Sequence, residues 1–415
     1  MNDERKQLMG GPLGHVRVLE LSRVLAGPWA AQTLADLGAS VIKVEKPGAG
    51  DDTRTYAPPY AANSDGSQSS ESAYFLSTNR GKRSVTIDFI HPEGQKLVRA
   101  LAAKSDVVIE NFKVGGLAKY GLDYPSLQPL NPGLVYCSIT GFGQTGPYRH
   151  KPGYDFMIQG IGGLMSITGE PDQCPGGSPM KVGVAVADIF TGLYATIAIL
   201  GALAHRDRTG AGQHIDLALL DTQVAVLANQ AMNYLVTGVA PQRLGNAHPN
   251  IVPYQVFAAS DGHIIVAVGN ENQFARMSEV IGRSDLASDE RFATNASRVN
   301  HRAELIAILH GIFVTRTTRD WLDALERAGV PCGPINTIAD VFADPQVQAR
   351  GLRLDLPHPA IGSVPSVANP IKYSVTPISY RSAPPTLGAD TDEILREMLG
   401  VTPAEIARLR KACIV

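Results

Sequence analysis

The stretch VRVLELSRVLAGPWAAQTLADLGASVIKVEKP, residues 16–47, decides the fold. VRVLEL is a short apolar run and reads as a strand. LAGPWAAQTLADLGA carries apolar residues at helical spacing and ends at Gly38, so it reads as a helix. SVIKVEKP is a second strand, closed by Pro47. Strand, helix and strand in that order make a βαβ unit. The alternation recurs in SVTIDF (84–89), PEGQKLVRALAAKS (92–105), DVVIENF (106–112) and GLVYCSITGF (133–142). Repeated βα units predict a parallel sheet flanked by helices.

The opening turn resembles that of a Rossmann domain. However, RVLAGPWAAQTLADLGA lacks the GxGxxG spacing, and Pro28 follows Gly27, which gives little support to a dinucleotide ligand. Between the strands runs PGAGDDTRTYAPPYAANSDGSQSSES (47–72), a polar loop of a length that is usually functional or mobile. Past residue 240 the character changes. PQRLGNAHPNIVPYQVFAASDGHIIVAVGN reads as a loop and a β-hairpin turning at Ser260-Asp261-Gly262, and amphipathic helices follow to about Ala328. This predicts a smaller α+β domain over 231–330, flanked by linkers at 206–230 and 331–355.

With 415 residues, 44% hydrophobic and 18% charged, the chain has room for two or three domains and a sizeable core, and disorder is not expected. Lys+Arg 37 against Asp+Glu 39 leaves no basic surplus, so neither nucleic acid nor an anionic membrane is an expected partner. Cys137, Cys174, Cys332 and Cys413 stand far apart, which argues against zinc or a disulfide scaffold and for a reducing compartment. The N-terminal MNDERKQLMGG has no apolar core of the kind a secretory leader needs. The apolar run from Ile189 to Ala204 is short for a bilayer and reads as a buried helix. A cytoplasmic protein is expected, or an organellar one if a transit segment has been trimmed.

Inside KVGVAVADIFTGLYATIAILGAL (181–203) stands one carboxylate, Asp188. Burial makes such an acid costly, so the fold either partners it or uses it. As a helix N-terminal residue it would cap free N–H groups. The same place would hold it ionised and poorly hydrated, which suits a nucleophile. The two readings are compatible. Cations gather after the predicted strands: Lys43, Lys46, Arg54 and the run Asn79-Arg80-Gly81-Lys82-Arg83. That is either a solvated face or the strand-end edge where open α/β sheets receive an anionic ligand. Neither GxSxG, a P-loop nor HExxH is present, and the ten histidines are scattered.

The ordered set VRVLELSRVLAGPWAAQTLADLGASVIKVEKPGAGDDTR, FLSTNRGKRSVTIDF, ENFKVGGLAKYGLDY, CSITGFGQTGPY, GYD and GVAVADIFTGLYA resembles the family III CoA-transferases. PGAGDDTRTYAPPY, GNAHPNIVPYQVF and VPCGPIN look most like its succinyl-CoA:glutarate branch. The resemblance implies an α/β fold with a large Rossmann-like domain assembled from residues 1–205 and 356–415, and an interlocked, ring-like homodimer. It implies Asp188 as the nucleophile, with CoA as substrate and no permanently bound cofactor. It places CoA against Lys46, Ile87, Asp88, Phe89, Ile90, Asn111, Phe112, Lys113, Lys119, Thr140, Gly141, Phe142 and Gly143. Arg23, Arg54 and His248 are the candidates for the distal carboxylate of a dicarboxylate substrate. Leu25 stands where a relative in the family has Gln, and the glycine-rich gating loop has no clear counterpart. Two rival activities remain in view. A 2-methylacyl-CoA racemase would pair the Asp with a His where this chain has Tyr154, and a non-catalytic CoA-binding protein would keep the fold without turnover.

Overall fold

The computed structural model describes residues 10–63 and 65–415; the polar run 1–9, on which the expectation about a leader partly rests, lies outside them. The chain forms two units. The larger takes the residues up to Gly163, then Gly183–Ala231 and Pro345–Val415; the smaller takes Leu164–Val182 and Met232–Asp344.

In the larger unit the opening stretch folds as β1 (Arg17–Glu20), α1 (Ala26–Asp36) and β2 (Ser40–Glu45). Within the long polar loop, β3 (Tyr60–Ala62) and β4 (Gln68–Ser72) pair as an antiparallel ribbon. Then come β5 (Lys82–Thr86), α2 (Pro92–Ala103), β6 (Val107–Glu110), β7 (Val135–Thr140), α3 (Asp155–Ile161), α4 (Val186–Thr209) and β8 (Gln213–Ala218). The sheet has six parallel strands in the order β5-β2-β1-β6-β7-β8. The chain winds outward from β1 to β5, returns to β6 beside β1 and winds outward again. The direction of winding reverses between β1 and β6, the position where open α/β sheets leave a crevice at the strands' carboxyl ends.

Alternation along each strand sends side chains to both faces, and both are covered. Val18, Val41, Val107, Ile109 and Val135 pack under α1 and α4 with Ala30, Leu34, Ala195 and Ile199. Leu19, Ile42, Val85, Val108 and Tyr136 meet Val98 and Leu101 of α2, and then Ile394, Leu395, Ile406 and Leu409 from two C-terminal helices, Thr391–Leu399 and Pro403–Lys411. Each such aliphatic side chain contributes about 1.5–3 kcal/mol when fully buried, so the C-terminal tail completes one face of a sheet that begins at residue 17. Segment 206–230, expected as a linker, is instead structural: β8 lies in it and pairs with β7 from Val135↔Gln213 to Thr140↔Ala218. Its polar alternation, QHIDLA, is that of an edge strand, which is why it does not read as core. The expectation of a buried helix over 189–204 also needs correction. α4 buries Thr191, Gly192, Ala195, Ile199 and Leu203, while Phe190, Leu193, Tyr194 and Ile197 on its other side are exposed.

The smaller unit contains the predicted hairpin, β9 (Tyr254–Ala258) and β10 (His263–Ala267), with β11 (Cys332–Pro334) added antiparallel to β10. Residues 332–334 are therefore a third strand and not part of a linker. Phe257, Ile264 and Val266 pack on Phe274, Leu309, Phe313 and Trp321 from the helices that follow. Residues 164–182 join this unit through Gly245 N–H donating to Gly169 O (3.1 Å) and Arg243 Nε donating to Glu170 O (3.1 Å).

Candidate active site

Asp188 sits in the first turn of α4, which starts after Ala185 with no cap from its own segment. The cap comes from α3. Asp155 Oδ1 accepts Ala187 N–H at 2.9 Å and Asp188 N–H at 3.3 Å, and Gln159 Nε2 donates to Asp155 Oδ2 at 2.7 Å. Asp188 is thus not the capping residue, and among the described residues its side chain makes no hydrogen bond or ion pair. Burial pushes its carboxyl up to about 7, and the negative charge of Asp155 adds to the rise. The Tyr74 phenol is in turn pushed up to about 12, by burial first and by the charge of Asp188 second. Tyr56 stacks edge-on against Tyr74 with centroids 5.6 Å apart.

Asp188 stands one turn of α4 before the residue that packs on the start of α1. Gly192, one turn further along the same face of α4, is pressed so closely that a Cβ there would lie 2.7 Å from Ala26 O and 3.1 Å from the Trp29 side chain. α1 begins at Leu25 with no side-chain cap, so its first N–H groups have no intrahelical acceptor.

The residues expected to hold CoA lie just past the carboxyl ends of their strands, Lys46 after β2, Ile87–Ile90 after β5, Asn111–Lys113 after β6 and Gly141–Gly143 after β7. Phe89 packs edge-on against Phe112 and Tyr120, each at 5.7 Å, and the Lys119 ammonium stands 4.7 Å over Tyr120. Lys46, Ile90 and Lys113 are exposed. Others are committed elsewhere. Ile87 is core, and Asp88 N–H donates to Ile414 O while its Oδ1 accepts Ile90 N–H. Thr140 Oγ1 accepts Gly143 N–H, and Phe142 leans on Tyr148. Gly141 has a steric role, since a Cβ on it would lie 2.6 Å from Gly153 Cα. That contact brings the Tyr154-Asp155 segment to the end of β7. Asn111 turns away to the backbone of Arg23.

Of the three carboxylate-binding candidates, Arg54 is committed to a structural ion pair. Its guanidinium donates to Glu45 Oε2 (2.8 Å) and Oε1 (2.9 Å), lies 3.6 Å over Phe75 and is buried. A substrate would have to break that bidentate pair. Arg23 is half-exposed, paired with Asp52 at 2.9 Å and 5.3 Å over Phe112, at the crevice between β1 and β6. His248 belongs to the smaller unit. Its Nδ1 accepts Asn250 N–H, and burial followed by the Arg302 charge lowers its affinity for a proton, so it is a poor anchor for an anion. Asp155, Tyr74 and the Asn111 contact escape a reading of the residues one by one. GYD gives the only hint of Asp155 in the sequence, and the other two depend on the loop's path.

A doubly wound α/β unit with a poorly hydrated carboxylate, unpaired among the described residues and one helical turn from the packing of α4 on the start of α1, is suited to acyl group transfer. The profile of CoA-transferase family III matches residues 13–391. The chain is 57% identical over 387 residues to a succinate–glutarate CoA-transferase of Agrobacterium fabrum, covering 93% of this chain and 96% of the other. It is 44% identical over 404 residues to human succinyl-CoA:glutarate CoA-transferase, covering 97% and 90%. Among solved structures, a CaiB/BaiF family protein from Brucella suis superposes with a TM-score of 0.82 at 55% identity, covering 94% of this chain and 100% of that one. The chain belongs to CoA-transferase family III.

Proposed function

We propose that the protein transfers CoA from succinyl-CoA to a dicarboxylate acceptor, glutarate first, through covalent intermediates on Asp188. The observation that carries this is the Asp188 carboxyl, raised to about 7 and unpaired at the start of α4. Above pH 7 it is ionised yet weakly solvated, which makes it a stronger nucleophile than a hydrated carboxylate. The names and identities of the two relatives support the choice of donor and acceptor.

Asp188 attacks the thioester carbonyl of succinyl-CoA; the C–S bond breaks, and a mixed anhydride and CoA thiolate form. The thiolate attacks the aspartyl carbonyl of the anhydride, giving an aspartyl-CoA thioester and free succinate. Glutarate attacks that thioester and releases thiolate, and the thiolate then attacks the glutaryl carbonyl of the new anhydride. Glutaryl-CoA leaves and Asp188 is regenerated. One thioester is consumed and one is formed, so no ATP enters the balance. The uncapped N–H groups of α1 at Ala26 and Gly27 face the developing oxyanion, a role that Leu25 has no polar side chain to fill. Apolar surroundings keep water from the anhydride. CoA lies along the strand ends, its phosphates toward Lys46, Lys113 and Lys119 and its flat groups toward Phe89, Phe112 and Tyr120. Arg23 is the candidate for the distal carboxylate.

The working form is an interlocked homodimer. Support comes from an apolar face on the larger unit, where Phe156, Met157 and Ile161 of α3 and Phe190, Tyr194 and Ile197 of α4 are exposed. A hollow lined by Phe156, Met157, Gly160 and Ile161 lies in it. Light scattering at micromolar protein should give about twice 44.2 kDa.

The test is an exchange assay with succinyl-CoA and glutarate in deuterated water, using wild type and Asp188→Ala. Glutaryl-CoA from wild type alone, without deuterium at Cα, supports the transfer. Deuterium at Cα points to a racemase, and CoA binding without exchange points to a non-catalytic protein.

A further inference from the structure

The connection between β1 and α1 is held by more side-chain contacts than so short a turn requires. Lys43 Nζ donates to Ser22 O at 2.9 Å, Ser22 Oγ donates to Glu20 Oε1 at 3.1 Å, and Val24 N–H donates to Asp51 Oδ1 at 3.2 Å. Asn111 reaches over from the end of β6 and grips one residue twice. Its Oδ1 accepts Arg23 N–H at 2.9 Å and its Nδ2 donates to Arg23 O at 2.6 Å. The next residue, Val24, has φ 72°, a left-handed conformation that a β-branched residue keeps only where its surroundings impose it. Gly27 closes the turn, since a Cβ there would lie 2.2 Å from Ser22 Oγ.

The clamped turn leads into the first turn of α1, whose Ala26 carbonyl and Trp29 side chain press on Gly192. Gly192 and Asp188 share a face of α4. The path from Asn111 to the reacting acid is therefore short: an amide holds Arg23, Arg23 fixes the strained Val24, and Val24 sets where α1 begins against α4, one turn from Asp188.

We propose that Asn111 is a positioning residue for acyl transfer: its side chain fixes the turn between β1 and α1, and so the helix N-terminus that packs on α4 one turn from Asp188. This rests on the proposed role of Asp188. It is a separate role from a CoA contact by the same side chain, since one bond from each polar atom of the amide is made to Arg23. A CoA contact supplies binding energy, which loss of the side chain would show in KM. A positioning contact supplies alignment, whose loss shows in kcat.

The test compares Asn111→Ala and Asn111→Asp with wild type in succinyl-CoA:glutarate exchange, with CoA binding followed by calorimetry. For Asn111→Ala the expected result is a kcat lowered about tenfold or more, with KM for succinyl-CoA and Kd for CoA within about twofold of wild type. Asn111→Asp keeps the acceptor for Arg23 N–H but sets a carboxylate oxygen against Arg23 O in place of a donor, so its kcat should fall as well; if the Ala variant does not fold, the Asp variant carries the same comparison. An unchanged kcat, or a rise in KM and Kd at unchanged kcat, overturns the proposal. Asp188→Ala is assayed alongside. If it still turns over, the functional reading and this inference fall together; if it is silent while Asn111→Ala keeps its kcat, only this inference fails.

Discussion

Two regions of the larger unit bury charge, and they do so to opposite ends. Beneath the turn between β1 and α1 lie Glu20, Lys43, Asp51 and Lys82, all buried. Lys43 Nζ stands 3.2 Å from Glu20 and 2.8 Å from Asp51, and Lys82 Nζ stands 2.8 Å from Glu20. Burial alone would raise Asp51, but the charge and hydrogen bond of Lys43 outweigh it and bring the carboxyl down to about 2. Burial alone would lower Lys43, but Glu20, Asp51 and Glu45 raise it. Lys82 shares Glu20 with Lys43, and burial draws it down to about 8. At the start of α4, burial raises the Asp188 carboxyl, and no cation among the described residues offsets it. Pairing, more than burial, separates a charge that holds a turn in place from one left free to react.

Asp188→Ala gives the largest expected effect: a loss of exchange of about 10⁴-fold or more, with CoA still binding, measured by steady-state kinetics and calorimetry. A residual rate near wild type would erase the contrast between the two regions. Lys43→Met comes next. It leaves Glu20 and Asp51 without their shared cation, and a loss of about 3–5 kcal/mol is expected in denaturant unfolding. Gly192→Ala presses a methyl against Ala26 O and should cost about 1–3 kcal/mol of stability, with a fall in kcat that exceeds any change in KM.

The pH dependence follows from the same contrast. Below about pH 7 Asp188 is protonated, so kcat/KM should fall as pH drops and level off above. Burial also pushes Glu110 up to about 7, against the hydrogen bonds from Ser138 and Phe112 N–H; a limb that persists in Glu110→Gln assigns it to Asp188. Stability runs the other way. A carboxyl whose folded pKa lies above its unfolded value stabilises fully below the unfolded value, and that contribution is lost as pH rises through the folded one. Asp188→Asn should therefore melt higher than wild type at pH 8, and the gap should narrow toward pH 4. Arg23→Ala is the smallest. Its pair with Asp52 is half-exposed, so stability should change by less than about 1 kcal/mol, while KM for the dicarboxylate rises.

Much of this architecture was legible because period and punctuation in the chain agree with the fold. VRVLEL, LAGPWAAQTLADLGA and SVIKVEKP become β1, α1 and β2, and Asp188 stands out by being alone among apolar neighbours. Other parts were not legible for identifiable reasons. The polar alternation of QHIDLA does not announce that it adds to the large sheet, so the segment around it reads as a linker. Arg54 reads as a free cation until Glu45, nine residues earlier, is brought against it by the turn that follows β2. Asn111 meets Arg23 across 88 residues, at the reversal of winding between β1 and β6, so spacing along the chain could not reveal the contact. Asp155 shows its role only once α3 packs against the start of α4.

The most direct measurement is of the acid itself. Protein mixed with succinyl-CoA is reduced with borohydride during turnover, digested and examined by mass spectrometry. A reduced side chain is expected at residue 188, in the peptide spanning the start of α4, and none without acyl-CoA. An unmodified Asp188, together with full exchange activity after its replacement, would contradict covalent catalysis at that residue.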